Sequence, residues 1–210
     1  MRRCVIFGAA AFDRLIMPID TDDLVIGADG GMVHLNRLGL QPTVILGDFD
    51  SLGYVPEGAQ VFPVEKDDTD SMLAVRHGLE RGCKEFLFYG CLDGERLDHT
   101  LSNYQTLAYL RSHGARGYLI GKRQTVTVLE GETAKFSPAA KGILSVFAMG
   151  GEAGGVTIKG LQYALEDGVL SPDFPLGVSN HFVGKASEIS VKTGKLLMIW
   201  DAENGFPDIR

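Results

Sequence analysis

Residues 43–51 read TVILGDFDS, and this stretch decides the class of fold. Its first four residues are apolar or β-branched, without alternation, which is the pattern of a strand buried on both faces of a parallel sheet. A glycine and two aspartates, Asp48 and Asp50, follow at once. The stretch therefore predicts a buried strand that ends in an acidic loop.

Five further runs in the first part of the chain share this apolar pattern; they are residues 4–7, 24–27, 60–64, 85–89 and 117–120. Amphipathic segments lie between some of them. Residues 70–81 carry apolar side chains at helical spacing, with an N-cap at position 68 or 69, and residues 98–113 form a second stripe that a glycine follows. This succession of strands and helices predicts an α/β fold with a mostly parallel sheet.

The pattern of apolar and polar residues changes after about residue 123. Short alternating runs, separated by turn signals, occur at residues 125–129, 143–147, 155–158, 187–191 and 195–200. No long helical pattern accompanies them, so they predict a small antiparallel sandwich or barrel. We therefore expect two domains, residues 1–122 and residues 123–210.

Composition narrows the function classes. The chain has 210 residues, and a formal net charge of −7 argues against a nucleic-acid partner, which usually meets a basic patch. The acidity suits a site for a divalent metal or a cationic substrate, although on charge alone solubility is the better explanation. The cysteines, Cys4, Cys83 and Cys91, are scattered and odd in number, and no apolar run is long enough to cross a membrane. We expect a soluble, cytoplasmic protein without a membrane partner.

Acidic residues follow four of the predicted strands. They are Asp29 after 24–27, Asp48 and Asp50 after 43–46, Asp67, Asp68 and Asp70 after 60–64, and Asp98 beyond 85–89. The carboxyl ends of parallel strands meet at one edge of the sheet, where open α/β sheets bind ligands. We therefore expect these loops to converge on one crevice.

Electrostatics limits what such a convergence can be. Two carboxylates about 4 Å apart repel by roughly 4 kcal/mol at an effective dielectric near 20. A cation among them removes that cost, and a set of oxygen ligands suits Mg²⁺, which commonly bridges to phosphates. Taken singly the signals are weaker, because Asp29 and Gly30 also read as an ordinary turn and Asp68 as a helix cap or surface charge. Together they predict a metal–phosphate site.

Phosphate would have to be bound without a P-loop, since that motif is absent. Gly30 with Gly31, and the loop 90–94, could bring backbone N–H groups to phosphate oxygens, helped by Arg96. Arg96 could instead form a structural ion pair with Asp98. His99 could orient Asp98 or have a purely structural role.

The acidic motifs resemble those of the thiamine pyrophosphokinases. The similar segments are ADGG (28–31), GDFDS (47–51), KDDTD (66–70), RLDHTLSN (96–103) and GVSN (177–180), in family order over most of the chain. The resemblance implies a Rossmann-like nucleotide domain, then a smaller β-sandwich that binds thiamine and forms a homodimer with active sites between subunits. It also implies ATP as diphosphate donor and Mg²⁺ as cofactor.

The resemblance further implies roles for individual residues. They are Asp48, Asp50, Asp70 and Asp98 for catalysis, the first three of these for metal, Asp29, Gly30, Gly31, Ser51, Lys66 and Arg96 for ATP or phosphate, and Asp98, Ser179 and Asn180 for thiamine. Asp98 is the candidate for orienting or deprotonating the thiamine hydroxyl. Three positions depart from the family pattern: Gly8-Ala9-Ala10 stands where Gly-Gly is expected, Glu95 replaces a glycine, and His181 replaces a frequent Glu.

Two other functions fit parts of the pattern. A haloacid-dehalogenase-type phosphatase would use Asp48 as a covalent nucleophile, but it usually needs Thr or Val where Leu52 stands. The second alternative is a non-catalytic nucleotide or thiamine sensor. The complete set of acidic residues argues against it, because a sensor does not need catalytic acids.

Overall fold

The computed structural model describes residues 2–49, 53–63 and 68–210. The chain divides into two compact units, Met1–Lys122 and Arg123–Arg210. Among the described residues, strands far outnumber α-helices, so the fold is a sheet-dominated mixture of α and β structure. All three cysteines are free and buried, as the sequence predicts.

The described part of the first unit contains six strands: β1 (Arg3–Phe7), β2 (Leu24–Ala28), β3 (Val44–Gly47), β4 (Gln60–Val61), β5 (Glu85–Tyr89) and β6 (Arg116–Ile120). Their pairings within the described ranges are parallel. β1 lies between β2 and β5, and Val5 pairs with Val25 on one side and with Leu87 on the other. Residues 4–7 are fully buried, which explains why that strand is apolar throughout.

The strand order in this unit is β6-β5-β1-β2-β3-β4. The chain builds outward from β1 through β2, β3 and β4, and then returns to the other side of β1 to add β5. Such a reversal of order leaves a crevice at the carboxyl ends of the two central strands, because the loops leave them in opposite directions. The fold thus provides a binding position beside β1 and β5.

Three α-helices accompany this sheet within residues 2–49, 53–63 and 68–122: α1 (Met32–Leu38), α2 (Asp70–Glu80) and α3 (Leu97–Ser112). α2 and α3 agree with the predicted helices within a few residues. α1 is absent from the sequence-based prediction, since it has only seven residues and follows a short 3₁₀ turn at Asp29–Gly31. It ends at Gly39, whose left-handed φ of 66° suits glycine.

The second unit contains eight strands, and their pairings are antiparallel. They are β7 (Gln124–Leu129), β8 (Thr133–Phe136), β9 (Ile143–Lys159), β10 (Leu165–Leu170), β11 (Asn180–His181), β12 (Ser187–Ser190), β13 (Thr193–Asp201) and β14 (Asp208–Ile209).

β9 serves two sheets. Its first part pairs with β11 and β13, and its last part pairs with β10 and β12. The ring of Phe136, on β8, lies 5.8 Å from that of Trp200, on β13, so side chains from both sheets meet in the core. The Trp200 indole is fully buried and donates a hydrogen bond to the Gly205 carbonyl at 2.8 Å.

One strand prediction in this unit is wrong. Residues 143–147 and 155–158 were expected to be separate strands with a turn between them, but both belong to β9. The glycines that read as a turn instead allow an irregularity, where the pairing with β13 shifts between Thr193 and Lys195. Gly150 and Gly155 adopt φ values of 73° and 64°, which a bulge tolerates inside a continuous strand.

No helix within residues 2–49, 53–63 and 68–210 has both the length and the apolar character needed to cross a membrane.

Candidate active site

A cavity of about 590 Å³ lies at the carboxyl ends of β1, β2, β3 and β5 in the first unit. Its lining comprises Gly8, Ala9, Ala10, Ala28, Asp29, Asp48, Asp68, Thr69, Asp70, Ser71, Gly90, Cys91, Gly94, Glu95, Arg96, His99, Thr100, Ser102 and Asn103. The position agrees with the crevice expected from the strand order. Five of the nineteen lining residues named here are acidic, and Arg96 adds a basic side chain.

Three carboxylates meet in this cavity. Side-chain oxygens of Asp29, Asp48 and Asp70 lie within 4.8 Å of one another, and all three residues are half-buried. Like charges at about this separation repel by roughly 4 kcal/mol a pair at an effective dielectric near 20. A divalent cation offsets that repulsion, and a ligand set made only of oxygen fits Mg²⁺. The residues present therefore fit the metal that the sequence predicts.

The backbone around these acids is unusual. Asp29 has a φ of 46° and Phe49 a φ of 59°, both in the left-handed region that side chains other than glycine seldom adopt. Phe49 is 2 % exposed, so burial of its ring compensates for the backbone strain. Gly47 has a φ of 151°, and a Cβ there would lie 3.0 Å from the Asp29 backbone. The loop after β3 thus packs tightly against the loop after β2, which brings Asp48 to Asp29.

Asp70 enters the site from the first turn of α2. Thr69 caps this helix, because its Oγ1 accepts a hydrogen bond from the Met72 N–H at 3.2 Å. An aspartate in the first turn also benefits from the positive end of the helix dipole. Asp68 lines the cavity as well, and its carboxylate pairs with Arg76 at 2.9 Å. The capping prediction is therefore confirmed for position 69.

The loop after β1, where the sequence departs from the family pattern, is part of the cavity wall. Gly8 N–H donates to the Tyr89 carbonyl and Ala10 N–H donates to the Gly90 carbonyl, each at 2.8 Å. Gly90 has a φ of 67°, and a Cβ there would lie 2.6 Å from the Ala10 carbonyl oxygen. The loops after β1 and β5 therefore continue the contact between these strands beyond the sheet.

Side chains of α3 hold the loop after β5. Asn103, which is buried, donates from Nδ2 to the Cys91 carbonyl at 2.8 Å, and Thr100 donates to the Leu92 carbonyl at 3.2 Å. Burial raises the pKa of the Cys91 thiol to about 12, so this cysteine remains protonated at neutral pH. Cys91 is consequently a wall residue and a poor nucleophile.

Asp98 and Arg96 form an ion pair at the start of α3. Arg96 Nη2 lies 2.6 Å from Asp98 Oδ2, and both side chains are about two-thirds exposed. The hydrogen bond from Arg96 lowers the pKa of Asp98 below its ordinary value. Arg96 lines the cavity, whereas Asp98 is neither in the described lining nor in the group of three carboxylates. The structural pairing left open by the sequence is thus present.

The remaining first-unit candidates divide into two groups. Gly30 and Gly31 are buried and do not belong to the described lining; a Cβ on Gly31 would collide with the Phe7 carbonyl oxygen, so glycine there permits close packing. Asp50, Ser51 and Lys66 lie outside the described residues, and their roles remain predictions.

Ser179 and Asn180 belong to the second unit. Ser179 has a left-handed φ of 59°, and its N–H donates to Ser145 Oγ at 2.9 Å. Asn180 is buried: its Nδ2 donates to the Tyr163 carbonyl at 2.6 Å, and its Oδ1 accepts from Tyr163 N–H at 3.0 Å. The Asn180 amide therefore fixes the Tyr163 backbone, while its predicted contact with thiamine stays a prediction.

The sequence-based prediction named too few cavity residues from α3 and from the loop after β1. His99, Thr100, Ser102 and Asn103 line the cavity, yet only His99 was considered individually. Asp29 was expected among the converging acids but was assigned to ATP or phosphate, not to the metal. A signal for Asn103 was available, because an amide at the core side of an amphipathic helix needs a partner when buried.

Two family models match the chain. The model for the thiamin pyrophosphokinase catalytic domain matches residues 18–119, and that for the thiamin pyrophosphokinase vitamin B1 binding domain matches residues 134–197. The first match contains all of the cavity's acidic residues. The second contains Ser179 and Asn180.

Individual proteins agree with these matches. A thiamine pyrophosphokinase of Bacillus subtilis (strain 168) is 28% identical over 189 residues, which cover 86% of this chain and 88% of the relative. A crystal structure of thiamine pyrophosphokinase from Bacillus subtilis has 25% identity and a TM-score of 0.79, with 96% of this chain and 99% of that chain covered. A thiamin pyrophosphokinase family protein from Enterococcus faecalis, at 23% identity, shares the fold with a TM-score of 0.77, over 95% of this chain and 98% of that chain. The chain belongs to the thiamine pyrophosphokinase family.

Proposed function

We infer that this chain transfers the diphosphate group of ATP to the hydroxyl of thiamine, giving thiamine diphosphate and AMP. The observation that carries the proposal is the group of Asp29, Asp48 and Asp70 on the wall of a cavity within the matched catalytic domain. The family matches support neither a phosphatase nor a non-catalytic sensor. We propose that the first unit is the Rossmann-like nucleotide domain of the enzyme and that the second is its thiamine-binding β-sandwich.

The metal proposal extends the sequence-based ligand set. Asp48 and Asp70 would hold Mg²⁺ together with Asp29, and Asp50 stays a predicted ligand outside the described residues. The ion, when bound, would neutralise charge on the phosphate oxygens during transfer. The half-buried position of the carboxylates suits this role, because their interactions are screened less than those of exposed acids.

Diphosphate transfer depends on position more than on covalent help from the protein. The thiamine oxygen attacks the β-phosphorus, the bond from that phosphorus to the α-phosphate oxygen breaks, and AMP leaves with that oxygen. Arg96 is suited to contact phosphate, since it lies on the cavity wall. Asp98, kept ionised by Arg96, would orient the thiamine hydroxyl through a hydrogen bond and take up its proton as the bond from oxygen to phosphorus forms.

The assay for the proposal is direct. Purified protein is incubated with ATP, thiamine and Mg²⁺, and the products are separated by chromatography. AMP and thiamine diphosphate should appear in equal amounts, and omission of thiamine should suppress both. Inorganic phosphate and ADP as the main products, without thiamine diphosphate, would contradict the proposal.

We also propose a homodimer, which the exposure of apolar side chains on the second unit supports. They are Tyr163, Val169, Phe174, Leu176, Val178 and Val183, each at least 44% exposed. Light scattering coupled to size exclusion should give twice the chain mass of 22.7 kDa. The cytoplasmic location and an active site shared between subunits stay predictions.

A further inference from the structure

His34 lies on α1, close to the acidic cavity but outside its described lining. The side chain is buried, at 9% exposure. α1 follows directly on the 3₁₀ turn that carries Asp29, so the same short segment bears a carboxylate of the site and this imidazole.

The imidazole contacts the wall of the cavity. Nε2 of His34 lies 2.9 Å from the carbonyl oxygen of Ala10. A carbonyl oxygen only accepts, so Nε2 carries the hydrogen and donates it. Ala10 is held from its other side by the hydrogen bond to Gly90. His34 thus ties the loop after β1 to α1, while Gly90 ties the same residue to β5.

Aromatic packing continues this attachment. The His34 ring meets the Phe12 ring edge-on, with centroids 4.9 Å apart, and Phe12 is 2% exposed. Arg37, one turn further along α1, places its guanidinium 5.2 Å from the Phe12 ring centroid. Residues 10–12 are therefore fixed to α1 by a hydrogen bond and by ring contacts.

If the only role of residue 34 were to pack against Phe12, an apolar ring would be more favourable than an imidazole. Nδ1 of His34 is buried, and it has no hydrogen-bond partner among the residues that the structure describes. A buried polar atom in that state costs free energy. Phenylalanine would fill a similar volume without this cost, but it would lose the bond to Ala10. The histidine is therefore better explained by its donor at Nε2 than by stability.

We infer that His34 is a positioning residue for the nucleotide: through Ala10 it sets the wall formed by residues 8–10. This inference rests on the proposed function. The affected substrate should be ATP, because residues 8–10 line the same cavity as the acidic residues of the matched catalytic domain. The matched vitamin B1 domain, in contrast, lies in the second unit.

Steady-state kinetics with each substrate varied in turn tests the inference. In His34→Phe, the KM for ATP should rise about fivefold or more, the effect expected from losing one hydrogen bond. The kcat and the KM for thiamine should change less than about twofold, and the melting temperature should stay equal or rise. His34→Gln, whose amide can donate at a similar reach, should recover part of the ATP KM.

His113→Phe is the matched control. Nδ1 of His113 also contacts a backbone carbonyl, that of Tyr109 at 2.8 Å, but the residue is exposed at the end of α3. Its kinetics should equal those of the wild type. An unchanged ATP KM in His34→Phe, or a loss confined to kcat with a lower melting temperature, would overturn the positioning role. Absence of turnover in the wild type would instead refute the proposed function.

A measurement on the wild type covers the case in which His34→Phe does not fold. In protein labelled with ¹⁵N-histidine, the Nε2 resonance of His34 should shift when α,β-methylene-ATP and Mg²⁺ are added, while that of His113 should not. If the chemical shift of His34 Nε2 does not change at saturating nucleotide, the inference is contradicted.

Discussion

The two ends of the parallel sheet both gather aspartates, but in opposite ways. At the amino end, Asp23 is buried and Arg3 lies against it, with Nη2 2.5 Å from Oδ2 and Nε 2.9 Å from Oδ1. Asp20 contacts the same guanidinium at 2.9 Å. The hydrogen bond to Asp23 raises the pKa of Arg3. At the carboxyl end, Asp29, Asp48 and Asp70 face a cavity instead.

The difference separates two uses of clustered aspartates. The amino-end cluster contains its counter-ion within the chain, so it serves the fold. The carboxyl-end cluster brings like charges together at the place where a ligand can enter, which costs stability and is justified by binding. An acidic patch is therefore informative when its geometry leaves room for an external cation.

The largest expected effect is loss of catalysis in Asp48→Asn. Removing one carboxylate of the group should lower kcat about 10³-fold, because metal stabilisation of the transferring group contributes several kcal/mol. The variant should remain folded, with a circular dichroism spectrum like that of the wild type. AMP formation and circular dichroism measure the two properties. Near-normal turnover would remove Asp48 from the proposed metal site.

Arg3→Leu should produce the reverse pattern. It leaves the Asp23 carboxylate buried without its guanidinium, and breaking such a pair costs about 3–5 kcal/mol of unfolding free energy. Turnover of the folded fraction at 25 °C should be unchanged, because Arg3 lies at the far end of the sheet. Urea denaturation measures the loss, and Arg3→Leu combined with Asp23→Leu should recover part of it. A stability equal to the wild type would show that the pair contributes little.

Stabilisation by bound metal and nucleotide should also distinguish the two aspartate clusters. Mg²⁺ with α,β-methylene-ATP at about 100 times its dissociation constant should stabilise the wild type by about 2.7 kcal/mol. Arg3→Leu should retain this increment, whereas Asp48→Asn should lose most of it. Thermal unfolding with and without a chelator gives the values. Equal stabilisation of wild type and Asp48→Asn would break the distinction between the two clusters.

The smallest effect concerns the exposed pair of Arg96 and Asp98. Since the folded pKa of Asp98 is lowered, its contribution to stability is present above the ordinary carboxylate pKa and is lost as pH falls through the lowered value. In Arg96→Ala, that pKa should rise towards about 3.9. A ¹³C titration of the carboxyl group measures it, and an unchanged value would show that Arg96 is not the cause. Solvent screening keeps the stability change small.

Much of the fold was predictable because its strands are continuous apolar runs. Residues 4–7 and 86–89 are buried, so sequence pattern and structure agree there. α1 was not predictable in the same way, because it has no long periodic pattern. Its helical conformation depends instead on tertiary packing around Gly31 and Phe12. The joined strand β9 was missed because glycines signal turns and bulges alike.

The site was predictable as a location more than as a set of contacts. Parallel strands place their following loops at one edge, and this rule brought Asp29, Asp48 and Asp70 together in the prediction as in the structure. The contacts of His34 and Asn103 depend on how α1 and α3 lie against the neighbouring loops. Spacing along the chain carries no information about such distances.

The sharing of β9 between two sheets has a consequence for motion. One backbone run supplies ladder hydrogen bonds to β11 and β13 at one end and to β10 and β12 at the other. A local opening in either sheet therefore strains the strand that supports the other. The second unit should lose its amide protection against deuterium in a single cooperative step, with residues 143–159 exchanging among the slowest in the chain.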